Sequence, residues 1–270
     1  MTTTTAERSE LLEELNRLAV VDINELWREL SGLESSEFRN ILVQAFPELL
    51  EPYSVAAAEL GAEWYAESAP DLPYQPQSFL PSSEGLASSA SWALAAHGEE
   101  ALSRLGGAAQ RSIWNANRDT IIGNSDREPG ATWARVARPG ACAFCAMLAT
   151  RGAVYTSREA ALKVVGRGKE MSLTDRRIRA AGGDRRQGGQ FAAGGTRTRG
   201  TGQLGHKYHD HCSCQAKEVR PGEVYLPPDY VQEWEDAYIK ATRETPGVGK
   251  YGAIDTDAVL AHMRASLGVH

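Results

Sequence analysis

Apolar residues recur every three or four positions through the first part of the chain, which is the spacing of one helix face. Two such stripes follow each other, the first made by Leu11, Leu12, Leu15 and Leu18 and the second by Ile23, Leu26, Trp27 and Leu30. Asp22 and Glu25 have the spacing of a capping box, so the pattern predicts that two helices meet at this point.

The helical pattern continues with a predicted helix at about residues 36–65, bent near Pro47 and Pro52, because proline removes a backbone hydrogen bond. A proline-rich stretch at 69–82 predicts an extended connector. Two more helices are predicted at about 84–97 and 99–122.

The pattern changes after Pro129, where alternating residues at 132–137 predict a short strand. Short helices are predicted at 146–150 and 157–165, and a second strand directly after Cys214. Towards the C-terminus, Val231, Trp234 and Tyr238 share one face of a predicted helix that Asp229 caps, and a last helix is predicted at about 256–267.

These elements predict an α+β fold that is mostly helical. A helical region at 1–128 precedes a small metal-braced α/β domain at 129–222, and a helical extension follows at 223–270. Glycines and arginines concentrate at 166–205, which predicts a long loop inside the second domain.

Composition narrows the class of protein. Hydrophobic residues make up 42% of the 270 residues and charged residues 24%, as in ordinary globular proteins. We expect no membrane segment, since no apolar run approaches the roughly 20 residues that span a bilayer. We also expect no secretory signal, because no basic start and apolar run follow Met1. In a protein made in the cytoplasm, cysteines are then expected to bind metal, to act in catalysis or to be buried, and not to form disulfides.

The net charge of −6 is unevenly distributed. Residues 1–70 are strongly acidic, which suits a protein partner or a solvated surface. Residues 174–200 are basic, which suits an anionic partner or, again, a solvated surface; their arginines are Arg176, Arg177, Arg179, Arg185, Arg186, Arg197 and Arg199.

Cysteine and histidine form the most specific pattern in the sequence. Cys142 and Cys145 make a Cys-x-x-Cys pair, and His209, Cys212 and Cys214 follow after at least 63 intervening residues. Thiolate and imidazole groups are the ligands that zinc prefers, and a cysteine-rich set favours a closed, structural site. The sequence predicts one such zinc site, in which Cys212 and Cys214 are alternatives for the fourth ligand. His211 is expected to face outward or to support a ligand.

These segments resemble the phage Mu F-like head morphogenesis, or minor capsid, family in its actinobacteriophage form. The matching stretches are 62–67, 110–121, 135–157 and 208–215. In that family the last stretch usually reads His-Pro-x-Cys-Arg-Cys, whereas here Asp210 and Ser213 replace the proline and the arginine.

The resemblance implies a minor capsid protein of a tailed bacteriophage that acts in capsid assembly. It would be made in the host cytoplasm and would lie in the virion, inside the head or at the portal vertex. Its partners would be the portal protein and the major capsid protein, with packaged DNA as a further partner of the basic loop.

Some relatives in that family are labelled capsid maturation proteases, so a protease is the alternative function. Ser157 and Ser213 are the nucleophiles to consider, with His209 or His211 as a base. No Gly-x-Ser-x-Gly or comparable context surrounds either serine, and the histidines suit metal binding. The sequence therefore assigns no catalytic residue.

Overall fold

The computed structural model describes residues 3–68, 70–153, 163–166, 186–187, 190–191, 197–203, 212–247 and 254–270, with the backbone alone for the four short ranges between 163 and 203. This part of the chain is mostly helical and carries small two-stranded sheets. The chain divides into two compact units, Met1–Asn124 with Tyr208–Gln215 and Ser125–Lys207 with Ala216–His270. The predicted boundaries of 1–128, 129–222 and 223–270 stay a prediction.

The first unit is built on long helices, and these are α1 (Thr5–Leu30), α2 (Ser35–Ser68), α3 (Ser83–Ala93) and α4, which starts at Gly98 and ends at Arg127. The predicted break at Asp22 is wrong, because α1 runs through it. The capping box lies instead at Thr4 and Glu7, whose side chains and backbone groups bond each other at the start of α1. Asp22 accepts a hydrogen bond from the Tyr53 hydroxyl on α2 and therefore needs no helix end to bond.

Helix α2 confirms the predicted helix near 36–65 and remains helical through Pro47 and Pro52. Each proline removes one backbone donor, but Leu42, Phe46 and Leu50 are almost completely buried along the same stretch. Burial of these side chains stabilises the helix enough to offset the missing hydrogen bonds.

The connector before α3 is extended, as predicted, and side chains of α4 form hydrogen bonds with its backbone N–H and carbonyl groups. Asn124 accepts from the Gln77 N–H at 2.9 Å and donates to the Gln77 carbonyl at 2.8 Å. Thr120 accepts from the Phe79 N–H at 2.9 Å. These hydrogen bonds hold the extended segment, whose Gln77 and Phe79 are exposed, against α4.

The second unit is mixed, and its described elements are β1 (Thr132–Val136), α5 (Ala143–Ala149), β2 (Lys163–Gly166), β3 (Arg186–Gln187), β4 (Gln190–Phe191), β5 (Arg197–Gln203), β6 (Gln215–Val219), α6 (Tyr230–Glu244) and α7 (Thr256–Leu267). Strand β1 pairs with β6, β2 with β5 and β3 with β4, the last two pairs antiparallel. Strands β1 and β6 and helices α6 and α7 confirm their predictions, except that Asp229, although it is the N-cap residue of α6, makes no side-chain capping hydrogen bond. A small core of this unit includes Ala134, Val136, Val219 and Tyr225.

One prediction fails next to the predicted loop at 166–205. The helix predicted at 157–165 is wrong at its end, because Lys163–Gly166 form strand β2. Two β-branched valines favour a strand there, and β5 supplies a partner for their backbone groups. Within the predicted loop at 166–205, the described residues form the short strands β3, β4 and β5, and the loop as a whole stays a prediction.

Helices α6 and α7 pack against α5, the helix that carries the first cysteine pair. Trp234, Tyr238 and Met263 are buried in this packing. The Ala143 N–H at the start of α5 donates to the His270 carbonyl at 3.0 Å. None of the described helices combines the length and apolar character that crossing a bilayer requires.

Candidate metal centre

A tight turn places the first cysteine pair at the start of α5. Pro139 and Gly140 occupy the middle of this turn, the Ala141 N–H donates to the Arg138 carbonyl at 3.1 Å, and Gly140 has a φ of 79°. Glycine adopts this left-handed conformation without strain, and proline before it favours a type II turn. Cys142 is consequently the N-cap of α5, with Cys145 in the first turn of the helix.

Both cysteines of this pair are buried, Cys142 with 8% and Cys145 with 2% of its surface exposed. The Arg135 Nη1 on strand β1 lies 3.9 Å from the Cys145 sulfur, within reach of a weak N–H···S hydrogen bond. Arg135 is itself 2% exposed. A positive charge therefore lies beside a thiol that a metal would convert to a thiolate.

The second cysteine pair lies in the stretch 212–214, immediately before strand β6. Cys212 and Cys214 are 2% and 3% exposed. The Arg118 side chain of α4 bonds the carbonyls of both residues, at 2.7 Å for Cys212 and 2.5 Å for Cys214. The next residue, Gln215, donates to the Thr5 carbonyl at 2.9 Å and to the Ser9 hydroxyl at 2.5 Å, which ties the stretch to α1.

Three of the four sulfurs come together. The Sγ atoms of Cys145, Cys212 and Cys214 all lie within 4.8 Å of one another, and all four cysteines are free thiols. Sulfurs around a tetrahedral zinc ion, each at about 2.3 Å, are about 3.8 Å apart, so small side-chain movements suffice to fit an ion. The donor set is soft, which favours zinc or a similar thiophilic metal. These three buried cysteines can hold a metal ion.

The remaining predicted ligands have different outcomes. Cys142 falls outside the group of three. His209 and the supporting His211 lie outside the described residues. Both alternatives for the fourth position, Cys212 and Cys214, belong to the group. The ligand set itself stays a prediction.

The arginines predicted to bind an anionic partner remain a prediction as well. Arg186 lies on β3, and Arg197 and Arg199 lie on β5, where only the backbone is described. The other four, Arg176, Arg177, Arg179 and Arg185, lie outside the described residues.

Of the residues considered for a protease, the structure describes Ser213 alone. Ser213 lies between the two buried cysteines and is partly exposed. Ser157 and His211 lie outside the described residues. A surface cavity of about 390 Å³ elsewhere in the second unit is lined by Glu128, Arg220 and neighbours that include Asp126. Glu128 and Arg220 form a mostly buried ion pair, with the Arg220 Nη2 2.6 Å from the Glu128 Oε1.

Sequence reasoning missed Arg118 and Arg135, the two buried arginines beside the cysteines. Arg118 is fully buried, among the apolar face of α4 that includes Trp114 and Ile121. A cation on an otherwise apolar helix face was the available signal, because such a residue requires a partner in the interior.

The sequence profile of the VG15 protein family matches residues 1–241. No curated protein matches the chain. No solved structure matches it either.

Proposed function

This chain belongs to the VG15 family of phage proteins, and we propose that it is a minor capsid, head morphogenesis protein of a tailed bacteriophage with a structural zinc. The VG15 match is consistent with the phage origin that the Mu F-like resemblance implies, while that finer family stays a prediction. The minor capsid role is the function that the resemblance and the cysteine geometry together favour.

One observation carries the proposal: the buried group of Cys145, Cys212 and Cys214. The two segments that supply these sulfurs are the segments most specific to the Mu F-like resemblance. The sulfurs are almost inaccessible to solvent, whereas a catalytic zinc keeps one position open for water or substrate. A zinc ion here would cross-link residues that are more than sixty positions apart in the sequence.

Charge supports the proposed location and partners. The acidic residues of 1–70 suit contact with a portal or capsid protein, in the head interior or at the portal vertex. The arginines of 166–205 suit packaged DNA, whose phosphates attract basic segments in a salt-dependent manner. We propose these as the partners of the assembled virion.

Purified virions test the role. Mass spectrometry of gradient-purified particles is expected to find this chain in a low, fixed ratio to the portal protein. Complete absence from particles and from prohead intermediates contradicts a minor capsid role. If particles still assemble in the Ser213→Ala variant but their capsid or scaffold cleavage stops, the result indicates the protease instead.

Elemental analysis of the purified chain tests the metal. About one zinc per chain is expected, with loss of the metal in Cys145→Ser and retention in Ser213→Ala, the adjacent non-thiol control. A wild-type chain that takes up no zinc under reducing conditions contradicts the structural zinc.

A further inference from the structure

Arg118 is a charged side chain with none of its surface exposed, in the middle of α4. Moving a guanidinium from water into a protein interior has a large free-energy cost unless hydrogen bonds and opposite charge offset it. The partners of this side chain therefore indicate its role.

The Arg118 guanidinium donates along the whole cysteine stretch 212–214. Nε bonds the Cys214 carbonyl at 2.5 Å, and Nη2 bonds the Cys212 carbonyl at 2.7 Å and lies 3.8 Å from the Cys212 sulfur. Nη1 donates to the Asn115 side-chain oxygen at 3.0 Å, which orients the group from one turn earlier on α4. The guanidinium also lies over the Trp114 ring, 5.4 Å from its centre.

We propose that Arg118 is the positioning residue of the metal centre, which holds Cys212 and Cys214 in ligating geometry and balances the charge of the bound thiolates. This inference rests on the metal proposed above. The rigid planar fork of arginine bonds two carbonyls two residues apart at once, so both cysteine backbones are fixed before an ion binds.

The net charge of the loaded metal site also favours a neighbouring cation. A divalent ion with three thiolates has a net charge of about −1, and with four about −2, inside a buried site. Among the Arg118 contacts above, the Cys212 sulfur is the atom that becomes an anion when metal binds. A fixed cation beside it stabilises the loaded site more than the empty one, as supporting residues around other metal ligands do.

The test compares zinc affinity among variants of the full-length chain, by competition with a chromophoric chelator. Arg118→Met keeps the length of the side chain but removes charge and donors, and it is expected to lower zinc affinity by roughly 10- to 100-fold. Arg118→Lys keeps the charge without the fork and is expected to fall between wild type and Arg118→Met. Arg104→Met is the matched control. Arg104 is also an arginine of α4 that lies over a tryptophan, here Trp92 of α3 at 5.1 Å from the ring centre, but it pairs with Glu100.

A general structural role is separated from a positioning role by spectroscopy. With cobalt(II) in place of zinc, Arg118→Met is expected to show a weaker sulfur-to-metal charge-transfer band than wild type at saturation. Its unfolding midpoint is expected to fall more with zinc than with a chelator present. An equal fall in both conditions, with a wild-type cobalt spectrum, overturns the proposal.

Asn115→Ala keeps the test decisive should Arg118→Met not fold. Asn115 is only partly buried, and its removal loosens the guanidinium without deleting it, so a smaller loss of zinc affinity is expected. Wild-type affinity and a wild-type spectrum in Asn115→Ala and in Arg118→Lys overturn the proposal. If wild-type protein binds zinc and these variants match it, only this inference fails; if wild-type protein binds none, the proposed zinc fails with it.

Discussion

Gly61 lies where α2 passes close to α4, and a side chain there has no room. A Cβ atom at Gly61 would lie 3.0 Å from the Asn117 carbonyl oxygen and 3.1 Å from the Thr120 Cβ. The short distance between the two helices also lets the Asn117 side chain donate to the Ala57 carbonyl at 2.9 Å. Helix backbone cannot move away as a flexible side chain can, so the glycine is required by packing.

We therefore expect Gly61→Ala to lower the free energy of unfolding by about 1 kcal/mol, because overpacking exceeds the gain in helix propensity. Gly106→Ala is the matched control on α4, where the nearest atom to a new Cβ is Val20 Cγ2 at 3.9 Å. That variant should gain roughly 0.5–1 kcal/mol. Urea denaturation measures both, and a stabilised Gly61→Ala would contradict the close helix contact.

The candidate site shows what residue-level reading can and cannot predict. The Cys-x-x-Cys spacing and the second cysteine pair predicted a shared metal site, and three of their sulfurs do lie together. Arg118 could not be assigned in the same way, because its partners are backbone carbonyls 94 and 96 residues away. A carbonyl is present at every residue, so no side-chain pattern marks the pair of carbonyls that an arginine bonds.

At the scale of the element, a hydrogen bond joins α1 and α2 near the middle of both helices. The Tyr53 hydroxyl donates to the Asp22 carboxylate. The pKa of Tyr53 is raised from 10.0 to about 12. The largest cause is desolvation by burial, followed by this hydrogen bond and by the Asp22 charge. The capping interpretation of Asp22 failed for this reason, since an aspartate four or five turns into a helix can serve a neighbouring helix equally well.

The pKa of Tyr53 predicts an alkaline transition. The folded chain holds the phenol proton more tightly than the unfolded chain, so the stabilisation is complete below pH 10 and is lost as the pH rises towards about 12. Below pH 10, Tyr53→Phe should unfold about 1 kcal/mol more easily than wild type, a modest value because the pair is only partly buried. Denaturant titrations in steps across this range measure the difference.

Asp22→Asn provides the control for the same pair. In that background, Tyr53→Phe should have a smaller effect, because the hydroxyl no longer bonds a charged group. A difference between wild type and Tyr53→Phe that grows between pH 10 and 12 would contradict the assignment.

Long helices were predicted better than short strands, for a physical reason. An amphipathic helix such as α6 repeats its buried face over several turns, and Val231, Trp234 and Tyr238 are indeed buried together. Strands β2 and β5 are short and stabilise each other across more than thirty positions. Such pairing depends on the partner, which the local pattern of either strand does not contain.

At the scale of the whole molecule, the C-terminal helices are part of the folded core. Helices α6 and α7 both pack on α5, where Met263 has none of its surface exposed and Trp234 has 5%. The VG15 match ends at residue 241, inside α6. If residues 223–270 are an extension, as the sequence predicts, residues 129–222 fold without them. The packing of α6 and α7 on α5 predicts instead that residues 129–222 do not fold alone.

A chain shortened to end at residue 222 decides between the two. We expect it to lose the cooperative unfolding transition of the second unit and its near-ultraviolet dichroism, because α5 loses the apolar surface it packs against. In the full-length chain, Trp234→Ala should lower the free energy of unfolding by about 3–5 kcal/mol, because a large buried side chain is removed. Leu226→Ala is the control, since Leu226 is 77% exposed and its loss should change stability by less than about 0.5 kcal/mol. A shortened chain with a wild-type transition would make 223–270 a separate extension.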